Sequence, residues 1–417
     1  MRPDFDILVI GGGMVGACAA ALAASNRELD ELRIALLERT LPAPIPPDAD
    51  IDLRVSALSR ASERILDAVG AWELIAPAHL SPYAEMKVWD AKVKPYGPGA
   101  VHFSASASSE PSLGHIVENR RIQSAIYDCR ALRQRVVALS GELAGLEFAE
   151  DQATALLSDG RRITALLIVG ADGADSPSRK MAGIDAGGWA YDQHAFVTHV
   201  RTERPHERTA WQRFLAAGPI AFLPLADGRS SIVWTTKPEH AAQLVRSPAP
   251  EAAAAIEVAI DSVLGAVEIA GPRGAFPLRL VHARSYCRER FVLVGDAAHA
   301  VHPLAGQGVN LGFLDCAALI EVLGDEVAAC GRRDAIAELR ALRRYERWRK
   351  SENALALGLI DGLNRLFGAS NELLGWARRR GLTTVNRSTF AKRFFMGRAM
   401  GTAGELPRVA AGRGERR

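Results

Sequence analysis

The sequence has little of several features that mark specialised classes of protein. Only five cysteines occur among 417 residues, and none stands in a C-x-x-C pair or beside a histidine cluster. This distribution argues against a disulfide framework, predicts no metal site, and is typical of buried thiols in a reducing compartment. The net charge of +3 is too small to indicate a nucleic-acid partner.

Long hydrophobic runs are also absent from the sequence. No apolar stretch approaches the roughly 18 residues of a membrane span, and no basic segment precedes the first apolar run, which starts by Phe5. The sequence therefore predicts neither a membrane-spanning nor a secreted protein, and we expect a cytoplasmic location. A hydrophobic content of 48% and a length sufficient for more than one core are ordinary for a globular enzyme.

Short buried strands and helices alternate at the start of the chain. Residues 4–10 and 33–37 are expected as parallel strands, with an Ala-rich helix over 14–25 between them. Further elements are expected as helices over 56–70 and 120–140 and as a strand over 163–170. Residues 190–285 alternate polar and apolar like strands with one exposed face, which predicts a second domain inserted in the first.

A glycine-rich motif lies between the first strand and the first helix. Gly11, Gly13 and Gly16 match the dinucleotide fingerprint, whose glycines allow a tight turn, the approach of a pyrophosphate, and close packing of helix on strand. The helix N-terminus adds free amide donors. Glu38 follows Gly16 by 22 residues at the end of the second strand, where it can bind ribose hydroxyls. This motif does not distinguish NAD from FAD.

A second motif follows another buried apolar run, late in the chain. Asp296 after Gly295 places a carboxylate at the end of a strand, where it can bond a ribityl hydroxyl. Gly306, Gln307 and Gly308 then begin a helix, whose free amides favour a ligand with negative charge, such as reduced flavin. Two nucleotide-binding elements far apart in one chain indicate one long cofactor held at both ends. This favours FAD.

Three further features stay open at this level. Asp172 follows a buried strand and is either a cofactor contact or part of an ordinary Asp-Gly turn. Arg54 is either a surface arginine or a side chain that approaches the cofactor from the loop above the sheet. His299 and His302 flank the expected flavin loop and are either structural or active in proton transfer.

With these residues in place, the chain resembles the group A flavin monooxygenases, which have the fold of para-hydroxybenzoate hydroxylase. Within that group it is similar to the ubiquinone-biosynthesis hydroxylases, and most of all to the 2-polyprenylphenol C5-hydroxylase. The matching runs are HPLAGQGVNLG at 302–312, LGHIVEN at 113–119, RVSALS at 54–59, AFLPL at 221–225, RYER at 344–347 and AMG at 399–401. The runs at 218–225 and 274–278 also suit the C6-hydroxylase of the same pathway.

Pattern and resemblance together predict an α/β fold, with a Rossmann-like FAD-binding domain, an inserted mixed β-sheet substrate domain and C-terminal helices. The expected boundaries are FAD-binding segments at 1–80, 119–188 and 286–345, substrate-domain segments at 81–118 and 189–285, C-terminal helices at 346–400, and a disordered tail at 401–417.

The resemblance also implies which residues bind the cofactor. They are Gly11, Gly13, Gly16, Glu38, Arg39, Arg54, Asp172, Asp296, Pro303, Gly306, Gln307, Gly308 and Asn310. The fingerprint residues would hold the ADP half of FAD, and Asp172 would support both FAD and a visiting nicotinamide. Asp296 would bind the ribityl chain, and the segment from Gly306 to Asn310 the pyrimidine edge of the flavin.

The activity implied by the resemblance is hydroxylation of a polyprenylated phenol in ubiquinone biosynthesis. NAD(P)H would reduce the flavin, O₂ would add at C4a to give a hydroperoxyflavin, and the phenol ring would attack its terminal oxygen. Ring position C5 is favoured over C6 or C1. A flavin reductase or oxidase, and a non-catalytic flavoprotein subunit of a biosynthetic complex, are the alternatives.

The C-terminal region suggests a second kind of partner. Leucines recur on one face of an expected helix, and a basic cluster follows it. These residues are Leu355, Leu359, Leu363, Leu366, Arg378, Arg379, Arg380, Lys392, Arg393, Phe394 and Phe395. They are either a core-packing helix with a solvated basic end or a peripheral contact with the inner face of an anionic membrane. The oligomeric state is left open.

Overall fold

The computed structural model of the chain describes residues 2–46, 48–97, 99–107, 110–300, 308–368, 388, 394, 396–398 and 400–412. The strands in these segments are β1 (Phe5–Ile10), β2 (Ile34–Glu38), β3 (Val55–Ser59), β4 (Ser81–Tyr83), β5 (Glu85–Asp90), β6 (Ala100–Ser104), β7 (Gly114–Glu118), β8 (Val136–Ser140), β9 (Leu143–Phe148), β10 (Ala153–Leu157), β11 (Arg162–Gly170), β12 (Ala186–Thr202), β13 (Thr209–Leu215), β14 (Gly218–Pro224), β15 (Ser230–Thr236), β16 (Val267–Ala283), β17 (Cys287–Arg288), β18 (Phe291–Leu293) and β19 (His299–Ala300). The helices are α1 (Met14–Ser25), α2 (Arg60–Ala68), α3 (Asn119–Asp128), α4 (Arg130–Arg135), α5 (Pro177–Met181), α6 (Pro238–Arg246), α7 (Ala249–Ala259), α8 (Gly308–Cys330) and α9 (Leu339–Gly368).

The first sheet has the doubly wound arrangement of a nucleotide-binding domain. Its strand order is β17-β18-β11-β1-β2-β8, with β10 and β9 attached to β11. β1 pairs in parallel with β2 and β11, and β18 pairs in parallel with β11. The residues of β1 from Asp6 to Ile10 are buried, as expected for a parallel strand with both faces covered. The small side chains of α1 let it pack closely beside this sheet.

The second sheet is inserted in the first, because most of its strands lie between β11 and β18 in the chain. Its order is β19-β16-β12-β15-β14-β13-β5-β6. The pairs are antiparallel except for β13 with β5. Helices α6 and α7 cover one face over a core that includes Trp89, Phe196, Phe222 and Ile256. The predicted α/β class with an inserted mixed sheet is confirmed.

A three-stranded sheet of β3, β7 and β4 packs against the other face of the second sheet. The apolar layer between these two sheets contains Ala57, Ile116, Leu223 and Met396. The segment 81–118 therefore serves two sheets. Its strands β5 and β6 join the large sheet, and β4 and β7 form the small one.

Two expected helices are wrong in part. The helix expected over 56–70 begins only at Arg60, because Ser59 caps it through Oγ, which accepts the N–H of Ser62 at 3.2 Å. The residues before it form β3, which pairs with β7. The helix expected over 120–140 is two short helices followed by β8, which pairs in parallel with β2. Pairing with distant strands outweighs local helical spacing in both places.

The tail expected to be disordered from residue 401 is ordered as far as residue 412. Ala410 is fully buried in the core of the first sheet, and Leu406 and Val409 pack against that core. The N–H of Arg408 donates to Glu321 Oε2 at 2.6 Å. This expectation is therefore wrong for 401–412, and residues 413–417 lie outside the described segments.

Two further expectations concern the burial of the cysteine thiols and the presence of membrane-spanning helices. The thiols of Cys18, Cys129, Cys287 and Cys316 are free and buried, whereas that of Cys330 is free and exposed. In the segments that the structure describes, no helix is long and apolar enough to cross a membrane.

Candidate cofactor and active site

The glycine fingerprint lies where β1 turns into α1, directly against the end of β11. Gly11 has a φ of +101°, and a Cβ atom there would lie 2.6 Å from the carbonyl oxygen of Ala171. A side chain at Gly16 would overlap the carbonyl oxygen of Gly11, so the helix approaches the strand this closely only with glycine. Both positions therefore require glycine for steric reasons.

The middle glycine of the fingerprint faces open space. Among the described atoms, none lies within 4 Å of where a Cβ at Gly13 would be, and no described side chain caps α1 there. Ala17 makes the first intrahelical bond, to the carbonyl oxygen of Gly13 at 2.9 Å. The amides of Met14, Val15 and Gly16 precede that bond and point out of the helix end. An open backbone at an uncapped helix N-terminus fits a pyrophosphate group.

Glu38 stands at the end of β2, beside the fingerprint. Its carboxylate accepts the N–H of Gly12 and, at 2.9 Å, that of Arg39. Gln123 Nε2 and Tyr127 Oη, both on α3, donate to the Gly12 carbonyl oxygen at 2.7 and 3.1 Å. The fingerprint leaves position 12 free and did not indicate these α3 residues. Gln123 and Tyr127 stand four residues apart on one face of α3, but this spacing alone does not connect them with the fingerprint.

The two predicted arginines lie in different surroundings. Arg39 is exposed and forms an ion pair with Glu142 at the rim of the site. Arg54 is also exposed, and its carbonyl oxygen accepts the N–H of Asn119 at 3.0 Å. The charge of Arg54 lowers the pKa of the Asp296 carboxyl, so the two groups lie near each other.

Asp172 is held by its own loop. Its Oδ1 accepts the hydroxyls of Ser176 and Ser178 at 2.5 and 2.8 Å, and its Oδ2 accepts the N–H of Ser178 at 2.8 Å. The carboxylate therefore fixes the start of α5 and the turn that packs against the fingerprint. Arg179 on α5 is buried and donates to the carbonyl oxygen of Ala297 at 2.7 Å. The Asp172 loop is thus bonded to the segment that carries Asp296.

Asp296 follows β18 in a tight turn. Gly295 has a φ of +59°, and a Cβ atom there would lie 2.9 Å from Cγ1 of Val15 in α1. The Asp296 side chain is accessible, and no residue that the structure describes donates a hydrogen bond to it. Loss of hydration on its protein-facing sides raises the pKa of the carboxyl, while the charges of His299 and Arg54 oppose that rise. A free acceptor at this point fits a hydroxylated ligand.

His299 points away from solvent. It is 1% exposed, and its Nε2 lies 2.5 Å from Oδ2 of Asp315 on α8. The sequence did not indicate Asp315 as a site residue. The other ring nitrogen of His299, Nδ1, is buried without a hydrogen-bond partner in the described parts of the chain. His299 therefore belongs to a buried polar cluster beneath the Asp296 turn.

The side chain of Asn310 holds the start of α8 against β3 and the first turn of α2. Oδ1 of Asn310 accepts the N–H of Ser59 at 2.9 Å and the hydroxyl of Ser62 at 2.7 Å. Its Nδ2 donates to the carbonyl oxygen of Ala57 at 2.8 Å. Both bonds to Oδ1 and one of the two Nδ2 donors are used within the protein, so backbone amides are the main groups free for a cofactor contact at this end of α8, from Gly308 onward. Four predicted residues lie outside the described segments: His302, Pro303, Gly306 and Gln307.

Val15 joins the two halves of the site. Its side chain touches Gly295, and a Cβ atom at Gly312 would lie 2.7 Å from its Cγ2. The fingerprint, the Asp172 loop and the Asp296 turn therefore meet at one edge of the first sheet, where a long dinucleotide can contact all three. This arrangement defines a flavoprotein of the FAD-binding class.

Comparison with known proteins agrees with this class. Residues 4–350 match the family model described as an FAD binding domain. The 3-demethoxyubiquinol 3-hydroxylase of Escherichia coli is 36% identical over 95% of this chain and 98% of its own length. Ubiquinone hydroxylase UbiL of Rhodospirillum rubrum is 36% identical over 98% of this chain and 92% of its own. The chain belongs to the FAD-dependent monooxygenase family that contains the ubiquinone-biosynthesis hydroxylases.

Solved structures show the same fold at lower identity. The p-nitrophenol 4-monooxygenase PnpA of Pseudomonas putida superimposes with a TM-score of 0.73 at 16% identity, over 97% of this chain and all of the other. At this identity the likeness concerns the fold alone.

Proposed function

We propose that this monooxygenase hydroxylates the ring of a polyprenylated phenol in ubiquinone biosynthesis, with NAD(P)H and O₂ as co-substrates and ring C5 as the favoured position. The observation that carries the proposal is 36% identity, over almost the whole of both chains, to a 3-demethoxyubiquinol 3-hydroxylase and a ubiquinone hydroxylase. The composition of the apolar layer between the large and the small sheet adds physical support.

The side of this layer that the large sheet forms is apolar. Ala221, Leu223 and Val233 face it from the large sheet. Phe276 on β16 alternates with Ala275, which packs under α6 and α7, so Phe276 faces the side of the small sheet. Its side chain remains 40% exposed. An exposed phenyl group on this face of the large sheet would suit an aromatic ring with an apolar prenyl chain.

FAD, when bound, supplies electron transfer from NAD(P)H and the activation of O₂. The residues of the chain would bind and orient this cofactor. The open backbone at Gly13 and the α1 amides would receive the pyrophosphate, Glu38 the ribose, and Asp296 the ribityl chain. Arg54 adds a positive charge beside that carboxylate, and the apolar layer keeps water from the ring.

Other predicted residues take indirect parts in this proposal. Asp172 has both carboxylate oxygens bonded to its own loop, so it would support FAD and the nicotinamide by shaping that loop. Asn310 would orient α8 so that the amides from Gly308 onward face the pyrimidine edge. Arg39 would act from the rim, where it pairs with Glu142.

The ring position has a second candidate. The name of the Escherichia coli relative assigns it hydroxylation of a demethoxyubiquinol at position 3. The resemblance of the sequence leaves C6 and C1 as the alternatives to C5, and the experiment must distinguish these positions.

The test is mass-spectrometric profiling of prenylated quinone intermediates in a strain that lacks this protein. We expect an intermediate that is short of one ring oxygen, and its structure identifies the ring position. Restoration by the wild-type chain and by Asp325→Asn, but not by Asp296→Ala, is expected. Asp325 is a matched control because it also lies on α8, where its carboxylate pairs with Arg344 and Arg408 and contacts no residue of the Asp296 turn in the described segments.

Assays of the purified protein distinguish the hydroxylase from the alternative functions. Coupled NAD(P)H oxidation and hydroxylation of a prenylphenol would support the proposal. NAD(P)H oxidation that yields only hydrogen peroxide with every prenylphenol would instead indicate a flavin oxidase or reductase. FAD binding without any NAD(P)H oxidation would indicate a non-catalytic subunit of a biosynthetic complex.

Membrane contact is a separate proposal about the C-terminal region. Leu355 and Phe394 are 44% and 43% exposed. The basic cluster at 378–380 and 392–393 lies outside the described segments. We expect the protein to float with anionic liposomes, and a triple charge reversal at 378–380 to reduce flotation. Unchanged flotation of that variant contradicts membrane contact through this cluster.

A further inference from the structure

A buried carboxylate lies directly beneath the turn that presents Asp296. Asp315 on α8 has no exposed surface and accepts four hydrogen bonds. Their donors are the N–H of Gly295 at 3.1 Å, Nε2 of His299 at 2.5 Å, Nε of Arg349 at 2.8 Å and Nδ2 of Asn353 at 3.0 Å. Four donors on one carboxylate satisfy its capacity.

The two oxygens of Asp315 serve different parts of the fold. Oδ2 accepts both bonds from the turn, those of Gly295 and His299. Oδ1 accepts both bonds from α9, those of Arg349 and Asn353. Asp315 therefore ties the turn to the long C-terminal helix through a single side chain.

The charge of Asp315 is maintained by its partners. Burial alone would raise the pKa of its carboxyl, but the charges and hydrogen bonds of His299 and Arg349 outweigh burial and hold that pKa at about 2. Arg349 is itself buried and donates through Nη2 to Oδ1 of Asn353 at 2.8 Å, which turns the amide of Asn353 towards Asp315. An ionised carboxylate has only acceptors, so His299 presents Nε2 as a donor.

The turn between the two anchored residues has little freedom. Val15 blocks movement of Gly295 from one side, and β19 pairs His299 with His282 in the large sheet. Asp296 stands between these points, with its carboxylate accessible.

We propose that Asp315 is a positioning residue, which holds the Gly295–His299 turn through Oδ2 and so sets the place of the Asp296 carboxylate against the ribityl chain of FAD. This inference rests on the proposed cofactor role of Asp296 and is independent of the substrate. Arg349 and Asn353 complete the support from the side of α9.

The experiment is a double-mutant cycle on FAD affinity. Apoprotein of the wild type, Asp296→Ala, Asp315→Asn and the double variant is titrated with FAD, and flavin fluorescence and the visible absorption bands of the bound flavin are followed. We expect each single change to weaken binding about tenfold, as for loss of a charged hydrogen bond, and the double variant to bind no more weakly than Asp296→Ala. Asp325→Asn on the same helix should bind as the wild type does.

Asp315→Asn leaves Arg349 buried without a counter-ion and can impair folding. The pair Asp315→Asn with Arg349→Met removes both charges and is carried through the same cycle. The inference is overturned if the folded variants bind FAD as tightly as the wild type, or if their loss is undiminished in the Asp296→Ala background. Normal affinity of Asp296→Ala would remove the cofactor role on which the inference rests, whereas absence of hydroxylated product with an intact cycle would affect the proposed function alone.

Discussion

Replacement of Gly12 by alanine probes a position that the dinucleotide fingerprint leaves free. A Cβ atom there would overlap the hydroxyl of Tyr127 and lie 2.8 Å from Cβ of Glu38. Because Tyr127 and Gln123 both donate to the Gly12 carbonyl oxygen, the backbone cannot move away without loss of those bonds. We therefore expect Gly12→Ala to strain the apoprotein and to displace the carboxylate of Glu38.

The size of the effect follows from overpacking, which costs about 1–3 kcal/mol. At about 2.1 cal/mol/K per residue, the unfolding entropy of 417 residues is about 0.9 kcal/mol/K. The thermal midpoint of the apoprotein should therefore fall by about 1–3 °C. A displaced Glu38 that loses its ribose contact should weaken FAD binding about tenfold, since 1.4 kcal/mol corresponds to a factor of ten.

The assay combines thermal unfolding of apoprotein with FAD titration for Gly12→Ala, Gly13→Ala and Gly12→Ala with Tyr127→Phe. Gly13 has a φ of −63° and open space before it, so its alanine variant should keep the apoprotein midpoint and lose only FAD affinity. Removal of the Tyr127 hydroxyl should return part of the stability lost in Gly12→Ala. An unchanged apoprotein midpoint in Gly12→Ala refutes the steric argument.

Three further predictions concern other parts of the site and the surface. Arg179→Met removes the bond to the carbonyl oxygen of Ala297 and should weaken FAD binding in the same titration. Unchanged FAD affinity would show that the Asp172 loop and the Asp296 turn keep their places without this bond. Because the folded pKa of Asp315 is lowered from 3.8 to about 2, its stabilisation of about 2 kcal/mol is present above pH 4 and lost as pH falls towards 2. The free energy of unfolding of the double variant Asp315→Asn/Arg349→Met, measured in urea, should lack this dependence on pH. The same pH dependence in the variant as in the wild type would contradict the role of Asp315. Thiol alkylation of the native protein should add one label, at Cys330, by intact mass, and labelling of a second thiol before unfolding would contradict the burial of the others.

Much of the fold was accessible from short-range patterns. The strand, glycine turn and helix at residues 4–25 form one local unit whose period and spacing are visible in the chain. The alternating strands at 190–285 likewise predicted the inserted sheet. In contrast, the expected helix over 120–140 was wrong at its end, because pairing with β2 draws residues 136–140 into a strand.

The residues of the site were likewise predictable from the sequence only in part. Glycine spacing indicated Gly11 and Gly16, whose crowding arises within the fingerprint and at the adjacent β11. The crowding at Gly12 arises from Tyr127 on α3, more than a hundred residues away, and from Glu38 on β2, and no local pattern marks it. Asp172 and Asn310 were recognisable as motif residues. Their side-chain partners, however, are loop and helix-start groups that became visible only in the structure.

Local spacing and family resemblance were sufficient for the class of the protein, since the nucleotide-binding turns are contiguous in the chain and chemically distinctive. The placement of the Asp296 carboxylate depended on folding. Its support, Asp315, is bonded across 20 residues to Gly295 and across 34 and 38 residues to Arg349 and Asn353. A buried polar cluster of this kind forms only when α8, α9 and the turn pack together, because each side chain alone would remain hydrated in the unfolded chain.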